Sequence, residues 1–107
     1  MVSQIHVTEL KRILDAGAPV LLLDVRQPDE HAYCALPGSV LIPLGELPAR
    51  LAEVEAEESL VVVYCHHGIR SISGAAILSG AGFANVASLA GGIDAWSELV
   101  DPAVPRY

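Results

Sequence analysis

The sequence predicts an α/β domain with a parallel sheet covered by helices. Short β-branched and leucine-rich runs alternate with amphipathic or small-residue segments, the pattern of strands joined by helical crossovers. The longest apolar runs, Ala18–Leu23 and Leu60–Cys65, are only six residues. A bilayer-spanning helix needs about 20 apolar residues, so these runs fit strands buried on both faces. At 107 residues the chain makes one domain, with a core over about residues 5–100 and a tail at 101–107.

Taken in order, Ile5–Val7 reads as a short first strand. Thr8 is placed to cap a helix over Glu9–Ala16, whose Leu10, Ile13 and Leu14 share one face, and Gly17 stops it. Val20–Val25 is a buried strand. Pro28, followed by Asp29 and Glu30, starts a short helix running to about Tyr33. Pro37-Gly38 is a turn, Ser39–Ile42 a short strand ended by Pro43, and Glu46–Val54 an amphipathic helix with Leu47, Leu51 and Val54 inward. Four acids within Glu53–Glu58 mark a solvated face. Leu60–Tyr64 is the next strand, Ser71–Ala81 a helix rich in Ala, Gly and Ser, Val86–Leu89 a strand, and Ile93–Leu99 a last helix carrying Trp96 as a core anchor. Small residues in Ser71–Ala81 let that helix approach the sheet closely.

The net charge is −7, and the six basic residues are scattered. That leaves no footprint for nucleic acid or an anionic membrane. The opening residues lack a basic stretch followed by an apolar one, so a cytoplasmic location is expected. Two cysteines, Cys34 and Cys65, are too few for a disulfide framework and lack a Cys-x-x-Cys spacing. Cys34 is expected as a small buried residue.

The chemistry concentrates at Cys65-His66-His67-Gly68-Ile69-Arg70-Ser71. A strand ends at the cysteine, a glycine-containing loop follows, and a helix begins. Loop amides and the positive end of a helix dipole stabilise an anion such as a thiolate. Such a thiolate attacks sulfur, phosphorus or carbon. Carbon chemistry wants a histidine base oriented by a third group, but His66 and His67 follow the cysteine directly, and their rings are expected to point outward as exposed loop histidines. Cys65, His66 and His67, being adjacent, do not converge easily on one ion, so no metal site is expected. Four residues separate Cys65 from Arg70. Cysteine phosphatases have five at this point, a loop wide enough for phosphate. The tighter ring favours a smaller occupant, a single sulfur atom on the cysteine.

Four blocks in order and spacing resemble the single-domain rhodanese family of sulfurtransferases over nearly the whole chain. They are Leu23-Asp24-Val25-Arg26 with Pro28 and Glu30, Pro37-Gly38-Ser39 with Ile42-Pro43, the Tyr64–Ser71 loop, and Leu89-Ala90-Gly91-Gly92-Ile93 with Ala95-Trp96. The resemblance implies a three-layer α/β/α fold with a five-stranded, largely parallel sheet and a persulfide on Cys65. It also implies a small sulfur donor, thiosulfate or a persulfide, used in ping-pong fashion with no metal or organic cofactor. His66, His67, Gly68, Ile69, Arg70 and Ser71 then form the substrate-binding loop. Asp24, at a strand end, and Arg26, pairing locally, are expected as structural residues, with support of the site as the alternative role. Cys34-Ala35-Leu36 departs from the Gly-His-Ile of many relatives. The tail and Pro43–Leu47 resemble rhodanese domains fused to adenylylating enzymes, which points to a sulfur-carrier protein or its adenylylating enzyme as partner. A phosphatase, an arsenate reductase and a non-catalytic binding module are the alternatives.

Overall fold

A computed structural model describes residues 2–57 and 59–107; Glu58, the last of the four acids, lies outside them. Among the described residues, five strands form one wholly parallel sheet: β1 (Gln4–Ile5), β2 (Val20–Asp24), β3 (Val40–Leu41), β4 (Leu60–Tyr64) and β5 (Val86–Leu89), in the order β1-β5-β4-β2-β3. Four α-helices cover it: α1 (Val7–Asp15), α2 (Pro28–Tyr33), α3 (Arg70–Gly80) and α4 (Gly92–Leu99). The expected α/β sandwich is thus present.

Alternation along the central strands divides the core into two. Leu22, Val62 and Tyr64 face Val7 and Leu10 of α1 and Ile93 and Trp96 of α4. Leu23, Val61, Val63 and Cys65 face Ala75 and Leu78 of α3, together with Ile42 and Leu47. Each fully buried Leu, Ile or Val contributes roughly 1.5–3 kcal/mol of transfer free energy. A Cβ on Gly74 would lie 3.0 Å from Val63 Cγ1 and 3.3 Å from Val25 Cγ1. The small residue at this point is what lets α3 sit directly against the sheet.

Three local expectations change. The first strand ends at Ile5 because Val7, wholly buried, belongs to α1. The cap is His6 rather than Thr8, since His6 Nδ1 accepts the Thr8 amide at 3.2 Å. The Glu46–Val54 helix is instead two 3-10 segments, Leu44–Ala49 and Leu51–Glu53, with Pro48 inside the first. Proline supplies no amide and crowds the preceding turn, so an α-helical ladder cannot run through it. Leu47 and Val54 are still buried.

Candidate active site

β2 and β4 pair in register from Val20–Leu60 to Asp24–Tyr64. Cys65 therefore stands just past the carboxyl edge of the sheet, where parallel α/β sheets place ligands. Its side chain belongs to the α3 face and is 1% exposed. Cys65 Sγ accepts the Gly68 amide at 3.2 Å and the Ser71 amide at 3.3 Å. The sulfur thus takes the place of a cap for α3, whose N-cap residue, Ile69, makes no side-chain cap bond. The Ser71 hydroxyl lies 3.5 Å from Sγ and 2.7 Å from Ser88 Oγ. Ser88, on β5, is buried and was not signalled by any local motif.

The loop is locked from outside by α4. Ile93 N donates to Cys65 O at 2.9 Å and Asp94 N donates to His66 O at 3.1 Å. The first amides of α4 thereby hold carbonyls of the loop on its outer side, while loop amides reach the sulfur on its inner side. This approach depends on two glycines. Gly68 has φ +93°, and a Cβ there would meet Gly91 N at 2.9 Å. Gly92 has φ +61°, and its Cβ would stand 2.4 Å from Cys65 O and 2.5 Å from His66 O. Only glycine allows both the left-handed backbone and the contact.

Arg70 is not a free anion receptor. Its Nη1 and Nη2 bind the Glu30 carboxylate at 2.8 and 3.0 Å. Glu30 also accepts the Gln27 amide, at 3.0 Å, and the Tyr107 hydroxyl, at 2.7 Å. Arg70 is the main reason its carboxyl is held down at about 2, below an ordinary 4.5. Tyr107 in turn accepts Arg26 Nη1 at 2.8 Å. Burial, opposed by Arg26, pushes its hydroxyl up to about 12, so it keeps the proton it gives to Glu30.

Asp24 and Arg26 are fully buried and paired, Arg26 Nη2 to Asp24 Oδ2 at 2.7 Å and Nε to Oδ1 at 2.9 Å. Arg26 Nη2 also binds Cys34 O at 2.6 Å, and His31 Nδ1 lies 2.8 Å from Asp24 Oδ2. Through Tyr107 the pair reaches the loop in relay, on one side by Glu30 to Arg70 and on the other by the Tyr107 ring stacked on His66. Cys34, buried as expected, and Cys65 are both free thiols. Ile69, at 77% exposed, stands out from the loop into solvent.

The histidines differ from two exposed loop residues. His67 is exposed, but His66 is half-buried, its ring stacked 3.8 Å from His67 on one side and 3.8 Å from Tyr107 on the other. Neither ring hydrogen-bonds the cysteine. Tyr107, in a tail that the sequence leaves as surface chain, thus both stacks on the loop and ties Arg26 to Glu30. No motif reveals it, because its partners lie far away in sequence.

The model of the rhodanese-like domain family matches residues 6–99. The chain belongs to that family. It is 36% identical to the sulfurtransferase of Allochromatium vinosum, covering 97% of this chain and 96% of that protein. It is 37% identical to the adenylyltransferase and sulfurtransferase MOCS3-2 of Zea mays, but spans only 23% of that longer protein. Among solved structures, the rhodanese-related protein from Thermoplasma volcanium superposes with a TM-score of 0.83 at 30% identity, covering 98% of this chain and 99% of that one.

Two outcomes follow for this rhodanese-like domain. Gly92→Ala is expected to destabilise it by at least about 1–3 kcal/mol from backbone strain alone, and to shift the loop carbonyls that α4 holds. Urea unfolding with loop amide chemical shifts checks this; wild-type values of both would refute the α4 lock. Glu30, depressed in the folded state, adds stability that is complete above about pH 4.5 and is lost as pH falls toward about 2. Glu30→Gln should flatten the decline of unfolding free energy across that window.

Proposed function

We propose that this chain is a sulfurtransferase that carries sulfur as a persulfide on Cys65. The observation behind it is the buried Cys65 sulfur, held by the Gly68 and Ser71 amides at a helix start, in a loop with four residues between Cys65 and Arg70. The family match and the sulfurtransferase names of its relatives support the same chemistry.

In the first half-reaction the Cys65 thiolate attacks the outer sulfur of thiosulfate or of a persulfide donor. The donor's S–S bond breaks, sulfite or a thiolate leaves with the electron pair, and Cys65 becomes a persulfide. Backbone amides and the α3 dipole stabilise its charged terminal sulfur. In the second half-reaction a thiophile, cyanide or a thiol, attacks that sulfur and Cys65 leaves as thiolate. Product departs before the acceptor reacts, so the kinetics are ping-pong. Because Arg70 is neutralised by Glu30, an anionic donor must compete with that carboxylate, whereas a persulfide donor of lower charge need not. The joining of adenylyltransferase and sulfurtransferase in the names of longer relatives supports a sulfur-carrier protein or its adenylylating enzyme as partner.

Intact-mass measurement tests the reading. After thiosulfate or a small persulfide, the protein should gain the mass of one sulfur atom, and cyanide should remove it as thiocyanate. No gain from either donor would favour a non-catalytic binding module. Turnover of a phosphate ester or of arsenate instead would favour the phosphatase-like alternative.

A further inference from the structure

We propose that His66, His67 and Asp94 form a site for one divalent transition-metal ion of the zinc class, outside the sulfur pocket. Each residue brings one ligand atom, and the three atoms lie within 4.8 Å of one another. His67 Nε2 is already 3.8 Å from Asp94 Oδ2. Tetrahedral zinc with bonds of about 2.0–2.1 Å needs its ligands roughly 3.3 Å apart. The His67 side chain is 59% exposed, so its ring is free to turn off its stack on His66 and toward the Asp94 carboxylate.

Several features favour this over a chance cluster. His66 Nε2 is buried and has no hydrogen-bond partner among the described residues, an unspent ligand position on a ring stacked against Tyr107. The two elements that supply the ligands are joined by backbone, His66 O to Asp94 N at 3.1 Å and Cys65 O to Ile93 N at 2.9 Å. The ligand-bearing backbones are therefore fixed relative to each other before any ion arrives. Two imidazoles and a carboxylate form a borderline donor set that prefers Zn2+, Co2+ or Ni2+ to Mg2+ or Ca2+. Cys65 is not in the cluster, because its sulfur faces the Gly68 and Ser71 amides. An ion at this site therefore leaves the thiol free.

Arg106 is the resident competitor. Its Nε and Nη2 hold the Asp94 carboxylate oxygens at 2.9 and 3.1 Å. A metal must share or displace that cation, so removing Arg106 should strengthen binding, a response that a purely structural ion pair does not predict.

Titration of the full chain with Co2+, followed by its visible d–d bands and competed with Zn2+, tests the site. One equivalent should bind, with no thiolate-to-metal charge-transfer band and the same spectrum in Cys65→Ser. His67→Ala and Asp94→Asn should each weaken binding by at least about tenfold, and Arg106→Gln should tighten it, with circular dichroism unchanged in all three. An absence of Co2+ binding to the wild type, a thiolate charge-transfer band lost in Cys65→Ser, or affinity indifferent to His67→Ala and Asp94→Asn would each overturn the proposal.

Discussion

Cys65→Ser is expected to abolish sulfur transfer, by on the order of 10^4-fold or more, and never to gain the mass of a sulfur atom from any donor. The serine hydroxyl can accept the amides of Gly68 and Ser71 that now reach the sulfur. The loop should therefore keep its shape and the domain its stability, which separates loss of the nucleophile from loss of the fold. A single-turnover assay beside urea unfolding reads both. Substantial turnover in Cys65→Ser would sink the persulfide reading, since no other thiol lies in the loop and Cys34 is directed at Arg26, its sulfur 4.0 Å from Nη1.

Arg26→Met should give the largest loss of stability. Asp24 and Arg26 are wholly buried, and removing one partner of such a pair leaves an uncompensated charge, typically costing about 3–5 kcal/mol. The Cys34 carbonyl and the Tyr107 hydroxyl lose their guanidinium donor at the same time. The double variant Asp24→Leu with Arg26→Met should recover much of the loss, because the stranded carboxylate is then gone as well. Urea unfolding of both variants measures this. A loss below about 1 kcal/mol in the single variant would show that the pair contributes no such penalty. Release of Tyr107 should further loosen the Glu30–Arg70 pair, visible as a rise of the Glu30 carboxyl from about 2 toward its ordinary range.

The strands buried on both faces were the most legible elements. Leu60–Tyr64 and Val86–Leu89 form as the sequence predicts, and Val20–Val25 loses only its last residue. Short apolar, β-branched runs opened by Pro19, Ser59 and Asn85 leave little choice of period there. The Glu46–Val54 segment misled because its leucines repeat at helical spacing while Pro48 forbids the helix. Burial alone satisfied that pattern through 3-10 turns. Thr8 misled because a cap is chosen by where the chain must turn inward, and wholly buried Val7 brings that turn two residues earlier than the Thr8 motif places it.

By itself, the sequence determined the layered α/β class, the position of Cys65 at a strand end and the short count to Arg70. All of these follow from covalent order and local period. The tertiary structure alone decided what surrounds the thiol. Ser88 behind Ser71, the α4 amides on the loop carbonyls, Glu30 on Arg70 and Tyr107 over His66 come from elements distant along the chain. Side chains of that kind leave no local periodicity to read. They meet because parallel strands must return through crossovers, which bring the carboxyl edges of β2, β4 and β5 to one end of the sheet.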